Sequence, residues 1–94
     1  MQFSSWEETP NFLYKEYLFE SFELAMVFMQ QAAIRITEIN HHPEWSNVYN
    51  RVRVKLTTHD AGNIVTEKDR ELAEILDKIY EKVAPTGIEP ISSV

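Results

Sequence analysis

The chain has 94 residues, with nine basic and fifteen acidic side chains, a formal net charge of −6 and no cysteine. That length suits one domain, residues 1–94, around a single two-layer core. The lack of cysteine excludes disulfides, thiolate nucleophiles and cysteine-based zinc sites, and the acidic balance argues against direct nucleic-acid binding, which rests on Lys and Arg neutralising phosphates.

No basic-plus-apolar leader opens the sequence, and no apolar run approaches the ~20 residues of a membrane span, so a soluble, cytoplasmic protein is expected. A chain this short buries only ~60–65% of its unfolded surface, a regime in which association often adds stability.

Phe3 to Glu8 reads as a short strand and Thr9-Pro10-Asn11 as a turn. Phe12 to Phe19, mixing aromatic and charged residues, reads as a longer strand. Ser21 is a good N-cap with Glu23 in the first turn behind it, and a helix is predicted over Phe22 to Ile39. Phe22, Met26, Met29, Ala33 and Ile36 recur at helical steps. Leu24, Val27, Phe28 and Ile34 lie off that stripe, so more than one face is apolar and a partner surface is expected.

Beyond Pro43, the alternation of Val48, Val52, Val54 and Leu56 with Arg51, Arg53 and Lys55 predicts one strand from Ser46 to Thr58. Tyr49 is assigned to that strand's packing. His59 to Val65 reads as a loop, with room for a further short strand there or in the C-terminal tail. Thr66 starts a second helix, with Asp69 at capping-box spacing. Leu72, Ala73, Leu76, Ile79, Tyr80 and Val83 form its buried stripe. Pro85-Thr86-Gly87 is expected to end it, leaving Ile88 to Val94 as a mobile tail. The order predicts an α+β two-layer sandwich, an antiparallel sheet with helices packed on one face. Its uncovered strand edge could pair with a second subunit.

All three histidines, His41, His42 and His59, fall in one stretch of the chain. Imidazoles titrate near neutral pH, so such a group can hold both an acid and a base. His41 and His42 follow the first helix, His59 ends the long strand, and Asp69 lies in the first turn of the second helix. Pro43 restricts His42 toward extended conformations. Three histidines with Asp69 could also suggest a metal site, but the spacing matches none of the usual zinc patterns, and no metal is assigned.

The runs His41-His42-Pro43-Glu44-Trp45-Ser46-Asn47-Val48-Tyr49-Asn50, Thr57-Thr58-His59 and Glu67-Lys68-Asp69 resemble the pterin-4a-carbinolamine dehydratase family. Upstream, Trp6, the aromatic strand to Phe19, and Ser21-Phe22-Glu23-Leu24-Ala25-Met26 through Phe28-Met29 are similar to it as well. The resemblance implies dehydration of 4a-hydroxytetrahydropterin to quinonoid dihydropterin in tetrahydrobiopterin recycling, with no cofactor. It implies that His41, His42 and His59 are catalytic, with His42 and His59 as the acid–base pair and His41 binding and orienting. Asn40, Thr57, Thr58 and Asp60 join the histidines in holding the pterin. Asp69 is expected to orient a histidine, to cap its helix, or both. Trp45 is expected either to stack on the ring or to pack.

Thr37 stands where the family usually carries an acid, with Glu38 one place away. The resemblance further implies a homodimer or homotetramer. Some relatives act on transcription factors through a helical surface, which leaves a non-enzymatic interaction module as the alternative.

Overall fold

A computed structural model describes residues 6–88, with side chains through Ala84. Two antiparallel pairings build the sheet's centre. β2 (Leu13–Leu18) pairs with β4 (Arg51–Leu56), and β4 pairs with β3 (Glu44–Val48). β1 (Glu7–Glu8) adds a short edge beside β2, giving the order β1-β2-β4-β3. Of the strand expected over Phe3 to Glu8, the part before Trp6 lies outside the described residues. Helices α1 (Phe22–Ile39) and α2 (Glu67–Ile88) pack on each other. The result is an α+β sandwich, as the order of elements predicts.

The stretch 46–58 is not one strand. It runs through a hairpin that turns at Tyr49-Asn50, joining the end of β3 to β4, with Val48 opposite Arg51 and Trp45 opposite Val54. Cross-strand partners share a face, so the turn switches the parity of the buried positions. Trp45 and Asn47 face inward on β3, whereas Val52, Val54 and Leu56 do so on β4. Val48, expected with the core valines, is therefore on the outer face and exposed. Tyr49 sits in the turn at φ +54° and is 66% exposed, so it takes no part in strand packing. Trp45, expected either to stack on the ring or to pack, is in β3 and packs against the core.

The end of α1 follows from its caps. Ser21 accepts a hydrogen bond from the Leu24 amide, and Asn40 closes the helix in the left-handed conformation with its N–H on the Thr37 carbonyl. The buried stripe is Ala25, Phe28, Ala32 and Ile36. Of the expected stripe, Ile36 is buried and Met26 and Met29 are partly so, while Phe22 and Ala33 face outward. Small alanines allow the close approach of α1 to the sheet and α2, and that approach selects this face over the bulkier one. Ile34 is 62% exposed, and Phe22 and Val27 join it on the surface.

On α2, Leu72, Ala73, Leu76, Ile79 and Val83 are buried as expected, with Tyr80 partly buried against them. α2 continues to Ile88, past Pro85-Thr86-Gly87. A proline removes one backbone donor, and the donors around it can still carry a helix across that gap. Residues 89–94, most of the expected mobile tail, lie outside the described residues.

The core joins Leu13, Tyr17, Val52, Val54 and Leu56 of the sheet to Phe28, Leu72 and Leu76 of the helices. Tyr17 lies 4.9 Å from both Phe28 and Tyr80, ring centroid to ring centroid, and Phe19 lies 5.2 Å from each of those two rings. Such pairs add ~0.5–1.5 kcal/mol each beyond their burial. At the rim, Asp77 accepts from Tyr17 Oη at 2.6 Å, Lys15 Nζ at 2.9 Å and Trp6 Nε1 at 3.0 Å, tying α2 to β2 and the chain before β1. No helix among the described residues is long and apolar enough to cross a membrane.

Candidate active site

The left-handed turn at Asn40 swings the chain off α1, so His41 lands beside the start of α2. There Asp69, 0% exposed, receives donors from three parts of the chain. His41 Nε2 lies 2.7 Å from Oδ1, while Oδ2 accepts from Thr58 Oγ1 at 2.7 Å and from the Thr66 amide at 2.9 Å. The last contact is the capping-box reach back to the N-cap, and Thr66 Oγ1 in turn accepts from the Lys68 amide at 3.3 Å. Capping and histidine orientation, two roles open in the sequence, are therefore both performed by one carboxylate. Because the described buried side-chain polar atoms are all satisfied, this seat is well determined, and it leaves the His41 side chain only 12% exposed.

β4 delivers the rest. Its continuation carries Thr57 and Thr58, and a short 3-10 turn, His59–Ala61, follows. Thr58 and Ile64 form an isolated antiparallel bridge that closes the loop, and Gly62 takes φ +92° to make the corner. Thr57 Oγ1 donates to the Asn11 carbonyl at 2.7 Å, which pins this segment to the turn before β2. His59 is 66% exposed, with Nε2 3.4 Å from Glu44 Oε2 on the first residue of β3.

Asn40, His41, His42, Thr57, Thr58, His59 and Asp60 thus line one cleft of about 210 Å³, together with Lys68. Lys68 was not singled out in the sequence, although it sits inside the Glu67-Lys68-Asp69 run; a solvent-side helix residue gives no pattern signal of its own. Glu44 was likewise missed as a neighbour of His59, because strand pairing across the hairpin brings it there. Trp45 does not line the cleft. Thr37 is exposed, and Glu38 does not stand in for an acid there, since it turns to Arg35 Nε at 2.8 Å. Among the described residues, no three His, Asp or Glu side chains gather in a way that could hold a metal ion. The cleft offers titratable imidazoles, one of them fixed by a buried carboxylate, beside hydroxyl and amide groups that can hold a polar heterocycle.

Fold and cleft together define a class: small α+β sandwiches that gather imidazoles in one cleft, one of them seated on a carboxylate buried at a helix start. The chain belongs to the pterin 4 alpha carbinolamine dehydratase family, whose model matches residues 1–79. It is 51% identical over 78 residues to an inferred pterin-4-alpha-carbinolamine dehydratase of Opitutus terrae, covering 83% of this chain and 80% of that protein. An inferred dehydratase of Bordetella avium is 47% identical over 85 residues, covering 88% and 78%.

Among solved structures, a transcriptional coactivator/pterin dehydratase from Brucella melitensis superposes with a TM-score of 0.75 at 39% identity, over 79% of this chain and 80% of that one. A pterin dehydratase-like protein described as a RuBisCO assembly factor in the alpha-carboxysome superposes with a TM-score of 0.68 at 26% identity, over 80% and 88%.

Proposed function

We propose that this chain removes water from 4a-hydroxytetrahydropterins, giving quinonoid dihydropterins, by histidine acid–base catalysis. The observation that supports this most is the convergence of His41, His42 and His59 on one cleft, with His41 seated by Asp69. In the reaction a proton goes onto the 4a oxygen and the C4a–O bond breaks with loss of water. The ring nitrogen's electron pair closes a C=N bond, and the ring gives up a proton. His42 and His59 serve as the acid–base pair. His41, one nitrogen committed to Asp69, presents the other to the heterocycle and orients it. Asn40, Thr57, Thr58 and Asp60 hold the ring. In this reading the protein works in the cytoplasm as a homodimer or homotetramer recycling tetrahydrobiopterin, without a cofactor.

Purified protein is expected to speed carbinolamine dehydration above its spontaneous rate. His42→Gln and His59→Gln are each expected to cost ~10²–10⁴-fold in kcat. No acceleration by the unaltered protein would sink the reading.

A second reading has its own support: Val27 and Ile34, seven residues apart on one face of α1, are exposed, and the two structural relatives carry coactivator and assembly-factor descriptions. In that reading the chain is a protein-interaction module. It gains if a His42→Ala/His59→Ala chain, inactive on carbinolamine, keeps the biological role.

A further inference from the structure

Two of the cleft's imidazoles face carboxylates, and the two pairs differ in kind. His41 is seated at 2.7 Å on Asp69, which is wholly buried. His59 is mostly exposed and has Glu44 Oε2 3.4 Å from its Nε2. The first pair fixes a ring in place. The second leaves a gap.

Chain order and register put Glu44 there. It opens β3 directly after His42-Pro43, and its cross-strand partner is Lys55, four residues before His59 on the continuation of β4. Lys55 Nζ lies 3.9 Å from Oε1, on the other oxygen of the carboxylate from the one that faces His59. His59 lines the cleft and Glu44 does not. The carboxylate therefore acts on a bound ring only through the imidazole.

The gap decides when it acts. Direct N–H···O hydrogen bonds fall at ~2.7–3.2 Å, so neutral His59 is held loosely. Once His59 takes up a proton, a cation faces the carboxylate, and a charge-assisted contact is roughly twice as strong as a neutral one. A contact that strengthens during proton transfer stabilises the transition state more than the bound substrate. It also commits Nε2 to Glu44 and leaves Nδ1 for the substrate.

We infer that Glu44 is a positioning residue for His59, aligning its ring and stabilising the imidazolium formed when His59 takes the proton that the heterocycle gives up. His59 is then the base of the pair, and the departing 4a oxygen is protonated by His42. The inference rests on the dehydratase reading and divides its acid–base pair between the two histidines.

The test is a charge series at residue 44, read as kcat and KM for carbinolamine dehydration. Glu44 is half exposed, so Glu44→Gln and Glu44→Lys should fold, which circular dichroism checks. Glu44→Gln is expected to lower kcat about three- to tenfold, the scale of a partly exposed charged contact, with KM changed less than about twofold. Glu44→Lys should lower kcat further. The series should flatten in a His59→Gln background and persist in a His42→Gln background, because coupling is confined to groups that interact. A flat series in the unaltered background, a loss carried by KM, or a series that His59→Gln leaves unchanged overturns the role of Glu44 and leaves the dehydratase reading standing. No acceleration by the unaltered protein overturns both.

Discussion

Asp69 holds its position through three donors while wholly buried, and that combination sets what a substitution there would do. Asp69→Asn keeps the shape but must turn an amide N–H₂ toward a group that now donates. Leaving a buried donor unmatched costs roughly 1–3 kcal/mol, which urea denaturation would measure. The same change frees His41 from its acceptor, so kcat/KM is expected to fall at temperatures where the variant is still fully folded; unchanged catalysis there would remove Asp69 from the site. The residue types and positions around the cleft were legible in the sequence, because the histidines and their neighbours recur at the spacing of a known family. The pairings were not. Nothing in chain order says that His41 takes the carboxylate while His59 faces Glu44, since those choices are made by the turn at Asn40 and by the hairpin register.

At the level of elements, α1 was legible because Ser21 and Glu23 mark its start and apolar residues at helical steps carry it to its end; the left-handed Asn40 that closes it is seen only in the structure. The β3–β4 hairpin was not. Its turn, Tyr49-Asn50, contains neither glycine nor proline, and Val48 preserves an apparent alternation straight through it. Positive φ at the first of two turn residues is the pattern of a type II′ turn, which favours glycine. Tyr49 is mostly exposed and has little packing to lose there. Tyr49→Gly is therefore expected to be neutral or to stabilise by up to about 1 kcal/mol, the left-handed strain relieved being partly offset by unfolded-chain entropy. A clear fall in the urea midpoint would mean that Tyr49 makes a contact the fold does not show. Asn47 guards the same turn, donating from Nδ2 to the carbonyls of Tyr49 and Arg51, and it is the better target for breaking the hairpin.

Across the whole molecule, the join between sheet and helices runs through Tyr17. Burial first, then its hydrogen bond to Asp77 and that carboxylate's charge, push the phenol's pKa far above its ordinary value of 10. A folded-state pKa raised above the unfolded one contributes stability that is fully present below about pH 10. That contribution is lost as pH climbs beyond it, because only the unfolded chain then ionises. Stability is accordingly expected to fall steeply above pH 10, and Tyr17→Phe to flatten the fall. Parallel curves for the two proteins would assign the alkaline loss to Tyr80 instead. The Tyr80 phenol is also raised by burial.

The Asp69 seat fastens residue 41 to residue 58 and to the start of α2. A ribosome making this chain finishes all three histidines before Asp69 is added, and finishes Asp69 well before the rest of the helix that buries it. A nascent chain therefore carries every imidazole of the site and yet has nothing to hold His41. The His41 seat is complete only when α2 has been released and has docked, so translation itself times the completion of the cleft.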